Sequence, residues 1–203
     1  MRKFKKRIIV ITGTPGVGKT STSRLLALKL EAGLINLGEL IKSEKLFSGI
    51  DEKRGSLVAD MEKVSRRVQQ IISSSEQRDV IIEGHFAVDV LPSEAVHKVF
   101  VLRRNPEELK GILLERGFKG SKLWENLAAE ILDVCLWDAV KLCGVDKVCE
   151  IDATGRRIEE VVKAIISILN GEKKCKAGQI DWLGKLDAEG KLDLYLKHFA
   201  PSP

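Results

Sequence analysis

Ile8-Ile9-Val10-Ile11-Thr12-Gly13-Thr14-Pro15-Gly16-Val17-Gly18-Lys19-Thr20-Ser21 is the stretch whose reading decides the fold. Its first five residues, four of them β-branched and apolar, read as a buried strand, and a glycine-punctuated loop follows at once. The pattern then turns helical, with Leu25, Leu26, Leu28 and Leu30 giving the next segment an apolar face. Within the loop, Gly13, Gly18, Lys19 and Thr20 complete G-x-x-x-x-G-K-[ST]. Glycines let backbone N–H groups turn inward around phosphate oxygens, and the helix that starts there points its positive end at them. Lys19 can reach the outer phosphates, and the Thr20 hydroxyl can serve as a magnesium ligand. A glycine turn alone would be weak evidence. The strand before it and the helix after it are the context a nucleoside triphosphate site needs.

Outward from that stretch, strands and helices alternate. A helix over about 19–32 ends at Gly33, and Leu34-Ile35-Asn36-Leu37 gives a short strand. A helical stretch runs from Gly38 to about Leu46, then 47–55 reads as loop through Gly49, Asp51 and Gly55. A long helix is expected from about 57 to 74, with Val58, Met61, Val64, Val68, Ile71 and Ile72 on its apolar positions. Further strands are expected at 79–83, 98–102 and 147–151. Pro106 opens a helix whose first turn carries Glu107 and Glu108, residues 117–121 interrupt it, and helix resumes to about Leu142. A helix over about 156–169 follows the last strand. Five strands separated by helices predict an α/β fold with a parallel sheet covered on both faces, its ligands at the carboxyl ends of the strands. Residues 171–203 differ in character: Lys173, Lys174 and Lys176 precede an amphipathic pattern that predicts a helical hairpin turning near Glu189-Gly190. Its apolar face is expected to cover core rather than dock a partner.

The chain of 203 residues suits one good core with room for a tail, and 44% hydrophobic with 31% charged residues is the balance of a soluble globular protein. The net charge of +5 is accounted for by Arg2, Lys3, Lys5, Lys6 and Arg7, so the remainder sums to about zero. That arm can touch RNA or serve as a solvated lead-in to the first strand. The apolar run after it is too short for a signal sequence or a membrane span, which predicts a cytoplasmic protein, or a nuclear one in a cell with a nucleus. Cys135, Cys143, Cys149 and Cys175 show no C-x-x-C pair or zinc spacing and are expected to be free thiols.

The strand at 79–83 ends in Glu83-Gly84-His85. In phosphoryl-transfer enzymes with this loop, an acid at the end of a neighbouring strand holds magnesium, so Glu83 is the second candidate metal ligand after Thr20. His85, followed by Asp89, is placed to orient a nucleophile or stabilise the transferred group. Phosphoryl transfer also needs positive charge on the moving group. Arg103, Arg104 and Arg116 are the candidates, with Lys119 and Lys122 behind them. Arg116, next to the glycines of Arg116-Gly117-Phe118-Lys119-Gly120, has the setting of a lid that closes over nucleotide. Arg104 reads as a solvated helix lead-in.

The residues 13–21, Asn36-Leu37-Gly38-Glu39-Leu40, Glu83-Gly84-His85, Val99-Phe100-Val101-Leu102-Arg103 and Glu115-Arg116-Gly117-Phe118, with Lys122-Leu123 and Asn126, occur in one order that resembles the adenylate kinase isoenzyme 6 family, in its archaeal form. That family is also called the coilin-interacting nuclear ATPase family. The resemblance covers about 7–170 and implies a nucleoside monophosphate kinase fold within a domain of about 1–170, with an AMP-binding region at about 36–59 and a lid at about 115–125. It implies adenylate kinase and ATPase activity with ATP and Mg2+, AMP or another nucleoside monophosphate as acceptor, and a part in small-subunit ribosome maturation through a ribosomal protein and pre-rRNA. It carries ATP binding onto Gly13, Pro15, Gly16, Val17, Gly18, Lys19, Thr20 and Ser21 with Arg116, adenosine seating onto Arg156, and acceptor binding onto Asn36, Gly38 and Lys42. The sequence departs from the family pattern in having Glu83 where Asp is usual, Ile112 where an arginine is usual, and Lys42 where an arginine often meets the AMP phosphate. Two rivals to the kinase follow from the same residues: a nucleotide-switched assembly factor that hydrolyses ATP slowly, and a kinase of another hydroxyl such as an RNA end.

Overall fold

The computed structural model describes residues 6–51 and 55–199. Five strands form one parallel sheet, in the order Gly33–Asn36, Asp79–Glu83, Arg7–Thr12, Val96–Arg103 and Val148–Asp152 across it. They are β1 (Arg7–Thr12), β2 (Gly33–Asn36), β5 (Asp79–Glu83), β6 (Val96–Arg103) and β7 (Val148–Asp152). Alternation along β1 divides the core. Ile8 and Val10 face a cluster with Val64 and Val68 of α3 (Met61–Ser74) and Leu136 of α6 (Val134–Cys143). Ile9 and Ile11 face one with Leu26 of α1 (Lys19–Leu30), Leu109 of α4 (Pro106–Glu115), Leu127 of α5 (Gly120–Ile131) and Val162 of α7 (Ile158–Leu169). A strand buried on both faces has to be apolar at successive positions, which is why the first run reads as it does. The register pairs Ile11 and Asn36 with Glu83, so the carboxyl ends of three strands converge on the phosphate loop.

Three local expectations are corrected. Residues 47–55 do not form a loop throughout: β3 (Phe47–Asp51) and β4 (Ser56–Ala59) pair antiparallel as a second, two-stranded sheet. Burial alternates along β3, but the residues do not, since Ile50 is exposed and Gly49 and Asp51 take half-buried places, so the sequence carries no strand signal there. The long helix therefore starts at Met61, where Asp60 caps it by accepting from the Lys63 N–H at 3.2 Å, and Val58 belongs to the hairpin. Helix does not run unbroken to Leu142 either. Asp133 adopts a left-handed φ of 57° between α5 and α6, and its carboxylate pairs with Arg103.

The stretch after α7 does form two short helices, α8 (Trp182–Ala188) and α9 (Leu192–Leu196), turning at Gly190 with φ 66°. It buries Trp182, Leu186 and Tyr195, while Leu183, Leu194 and Leu196 stay exposed. On the way it covers the free edge of β7, where the Glu150 N–H donates to the Lys176 carbonyl at 2.8 Å. Cys149 and Cys175 are joined there in a disulfide, correcting the expectation of four free thiols; Cys135 and Cys143 are free. A fold-imposed neighbourhood between an edge strand and its cover cannot be read from cysteine spacing.

Of the basic arm, Arg2, Lys3 and Lys5 lie outside the described residues. Arg7 donates to the Asp79 carboxylate, with Nε–Oδ1 at 2.9 Å, and Lys6 donates to the carbonyls of Ser75 and Gln77, so both pin the start of β5. Among the described residues no helix is long and apolar enough to cross a membrane.

Candidate active site

Local sterics force the phosphate loop into shape. Gly13 has φ 135° and sits so close to the Leu102 carbonyl that a Cβ would strike it. Gly16 has φ 95°, and a Cβ there would meet Leu109 Cδ1 at 2.8 Å. Gly18, also left-handed, opens directly into α1, whose first N–H groups face the loop. Lys19 is only 9% exposed, and its ammonium donates to the carbonyls of Gly13 at 2.8 Å and Thr14 at 3.0 Å. Burial pushes its pKa below the ordinary lysine value, opposed by the charge of Glu83 among others.

Glu83, at the end of β5, is held by two donors. The Thr20 hydroxyl reaches Oε1 at 3.2 Å, and the Asn36 amide donates to Oε2. Asn36 works in two directions, since its own Oδ1 accepts from the Glu39 N–H at 2.9 Å and caps α2 (Leu37–Ser43). Burial raises the Glu83 carboxyl above its usual range, while Lys19 and the Thr20 hydroxyl pull it back. The hydroxyl and carboxylate oxygens of Thr20 and Glu83 are hard ligands of the kind magnesium takes, one or two protein groups beside phosphates and water. This donor set therefore fits the ion the motif implies.

One cavity of about 490 Å³ opens over these groups. It collects Pro15, Gly16, Gly18, Lys19, Thr20 and Ser21 from the loop and α1, Asn36, Gly38 and Lys42 around α2, Glu83 and His85 after β5, and Arg116 at the end of α4. The ring of His85 is exposed at the cavity and packs edge-on against Phe86 at 4.6 Å. The protein around the ring and the Lys19 charge hold its pKa below the ordinary imidazole value. Three of the residues assigned from sequence to ATP and its adenosine do not line the cavity. Gly13 is the steric pivot behind the loop, Val17 packs its side chain into the core with no exposure, and Arg156 stands exposed on the turn after β7.

The remaining arginine candidates separate clearly. Arg103 is 1% exposed and faces the core, bound to Glu130 at 2.9 Å, Glu150 at 2.6 Å and Asp133, so it is not available to a phosphate. Arg104 lies against the outside of the loop, paired with Glu108 and close to the Val17 carbonyl, rather than solvated. Lys122 lines the cavity beside Arg116, while Lys119 does not. Asp89 does not line the cavity; burial and the charge of Asp138 raise its pKa. Sequence reasoning missed the apolar wall given by Ile41, Leu57, Ala59 and Phe86. No sequence signal marks it, because Ser56-Leu57-Val58-Ala59 does not alternate and Ile41 and Phe86 come from other segments.

A family model described as an AAA domain matches residues 9–133. Archaeal proteins carrying the name "Putative adenylate kinase" match nearly end to end. The one from Methanosarcina acetivorans is 43% identical, covering 87% of this chain and 97% of its own. The one from Methanosarcina barkeri is 41% identical with the same coverage. The chain belongs to this adenylate kinase-like family. Its more distant relative in Pyrococcus furiosus is 36% identical over 86% of this chain and 91% of that protein. Among solved structures, shikimate kinase from Bacteroides thetaiotaomicron superposes with a TM-score of 0.56 at 19% identity, covering 81% of this chain and 98% of that one, which shows a shared P-loop kinase fold.

Proposed function

We propose that this family member is an adenylate kinase of the isoenzyme 6 branch, converting ATP and AMP into two ADP with magnesium. The observation that carries the proposal is the single cavity in which the phosphate loop, Glu83, His85, Lys42 and Arg116 all meet. Its loop side would hold ATP through Gly13, Pro15, Gly16, Val17, Gly18, Lys19, Thr20 and Ser21, with Arg156 beside the adenosine. Its other side, within 36–59, would hold AMP through Asn36, Gly38 and Lys42, against the wall of Leu57 and Ala59. The segment 115–125 would act as lid, 1–170 as the kinase domain, and 171–203 as its extension.

In the transfer, an AMP phosphate oxygen forms a bond to the γ-phosphorus as the bridging oxygen of ATP leaves as ADP. Lys19 would exchange its two carbonyl partners for phosphate oxygens, an exchange favoured by its poor solvation. Arg116 would bring charge to the equatorial oxygens of the moving group. Thr20 and Glu83, the carboxylate held by the Asn36 amide, would bind magnesium, which when bound would neutralise charge on the phosphates. His85 would hold the incoming oxygen in line. With AMP absent, the exposed face of His85 leaves room for water, so slow ATP hydrolysis is the second activity we assign to the same groups.

ADP production from ATP is to be measured alone and with AMP, CMP, GMP and UMP. AMP should raise the rate well above that of ATP alone and above the other three. A rate that no monophosphate raises would overturn the kinase and leave an ATPase.

A further inference from the structure

The phosphate loop is held from behind as well as by its own turns. Thr14 is 1% exposed and does not line the cavity. Its hydroxyl donates to Glu130 Oε2 on α5 at 2.7 Å, while its carbonyl accepts from Lys19. The other oxygen of Glu130 accepts from Arg103 Nε at 2.9 Å, the Arg104 N–H at 3.1 Å and the Trp182 indole N–H at 3.1 Å. Trp182 belongs to the C-terminal segment, brought there by the Cys149–Cys175 bond and by the Gln179 N–H donating to Glu150 at 2.7 Å.

Charge balance marks Glu130 as more than a partner for Arg103. Glu150 and Asp133 already offer Arg103 two carboxylates, and a buried cation needs no third to be paired. What Glu130 adds is a rigid acceptor that joins the loop on one side to the tail on the other. A buried carboxylate with four donors has almost no freedom, so it transmits position well. Loop geometry matters because donors must sit where charge develops in transfer, and a small displacement costs rate.

We propose that Glu130 and Trp182 are positioning residues for the phosphate loop: the tail, through the Trp182 indole and the Glu130 carboxylate, fixes Thr14 and with it the cradle for the donor phosphates. This rests on the donor being a nucleoside triphosphate held by the loop, as proposed above.

The test uses full-length Thr14→Val, Trp182→Phe and their combination, which delete one hydroxyl and one N–H while keeping bulk. ATP affinity is read by calorimetry without acceptor, the kinetic constants by ADP formation, and folding by thermal melting. Thr14→Val should lower kcat/KM for ATP about tenfold and Trp182→Phe about threefold. KM for AMP should stay unchanged, and melting should move only a few degrees. The double variant should lose less than the product of the two, because both act through one carboxylate. Glu130→Gln should retain more activity than Glu130→Ala, since its amide oxygen can still accept from Thr14. Lower melting temperatures with kcat, KM and ATP affinity unchanged would overturn the proposal and leave a structural network, and losses that multiply fully would sever the tail from the loop. If the unaltered protein transfers to no monophosphate, the kinase falls; weakened ATP binding in both variants would still uphold the role of Glu130.

Discussion

The two sides of the cavity are built in opposite ways. On the loop side, backbone is locked against core: Gly13 against the Leu102 carbonyl, Gly16 against Leu109, Thr14 against Glu130. On the other side stand a short helix, Leu37–Ser43, and the two-stranded hairpin, with Lys42 exposed and Ile50 and Val58 open to solvent at 64% and 46%. Triphosphates present the same oxygens whatever the base, so the donor side gains from rigidity. An acceptor must be admitted and released, and a thin wall with one face open to solvent can move to do it. The contrast predicts that changes on the loop side will cost turnover, and changes on the hairpin side will cost acceptor affinity.

Lys19→Ala is the harshest trial of the loop side. It should cut turnover by about a thousandfold or more, because it removes charge where the transferred group develops it. Melting should change little, since the cavity gives water access to the two carbonyls released. Near-normal ADP production would remove the loop from the chemistry.

Next in size is Cys175→Ser, which loosens the backing of the loop side without touching the cavity. The bond closes a span of 26 residues, and its loss should cost about 3 kcal/mol of stability. KM for AMP should not move, and if it did the two sides would not be independent. Denaturant melts with and without reductant read the effect, with the reduced parent matching the variant.

The loop side was largely legible from sequence and the hairpin side was not, for a physical reason. A strand buried on both faces, followed by glycines and a lysine, has few other uses, and the register that joins Ile11, Asn36 and Glu83 follows from a parallel sheet. Strands of five and four residues are too short for a clear period-two pattern, and neither Phe47–Asp51 nor Ser56–Ala59 alternates polar with apolar residues. Arg103 shows the other limit. Its place at a strand end suggested a phosphate ligand, but its partners come from two later stretches, Glu130 and Asp133 from the junction of α5 and α6 and Glu150 from β7, and only the fold reveals that they close around it. The disulfide was invisible for the same reason.

Asn36 sits on the boundary, since one side chain caps the acceptor-side helix and orients Glu83 on the donor side. Asn36→Ala should raise the magnesium needed for half-maximal rate by about ten- to a hundredfold, the usual consequence of freeing a metal ligand. It should also cost about 1 kcal/mol through the lost cap. Asn36→Asp separates the two, keeping the cap while setting a second carboxylate against Glu83. If the magnesium requirement is normal in both variants, Glu83 does not serve the metal.

The smallest effect, and the sharpest test of the acceptor side, is expected at Lys42. Its ammonium is exposed at the cavity, so water screens it and its contact with a phosphate is weaker than a buried one. Lys42→Ala should raise KM for AMP about tenfold, near the low end for a charge-assisted hydrogen bond, with kcat and KM for ATP within about twofold. Lys42→Arg should lower KM for AMP below that of the parent, because a guanidinium grips two phosphate oxygens where an ammonium offers a point charge. The pair of variants matters more than either alone. If alanine and arginine both raise KM, the position is shaped for lysine and the acceptor phosphate lies elsewhere along the hairpin wall. If neither changes KM for AMP while both slow ATP turnover, Lys42 belongs to the donor side, and the division of the cavity into two halves is wrong at the residue where it was drawn.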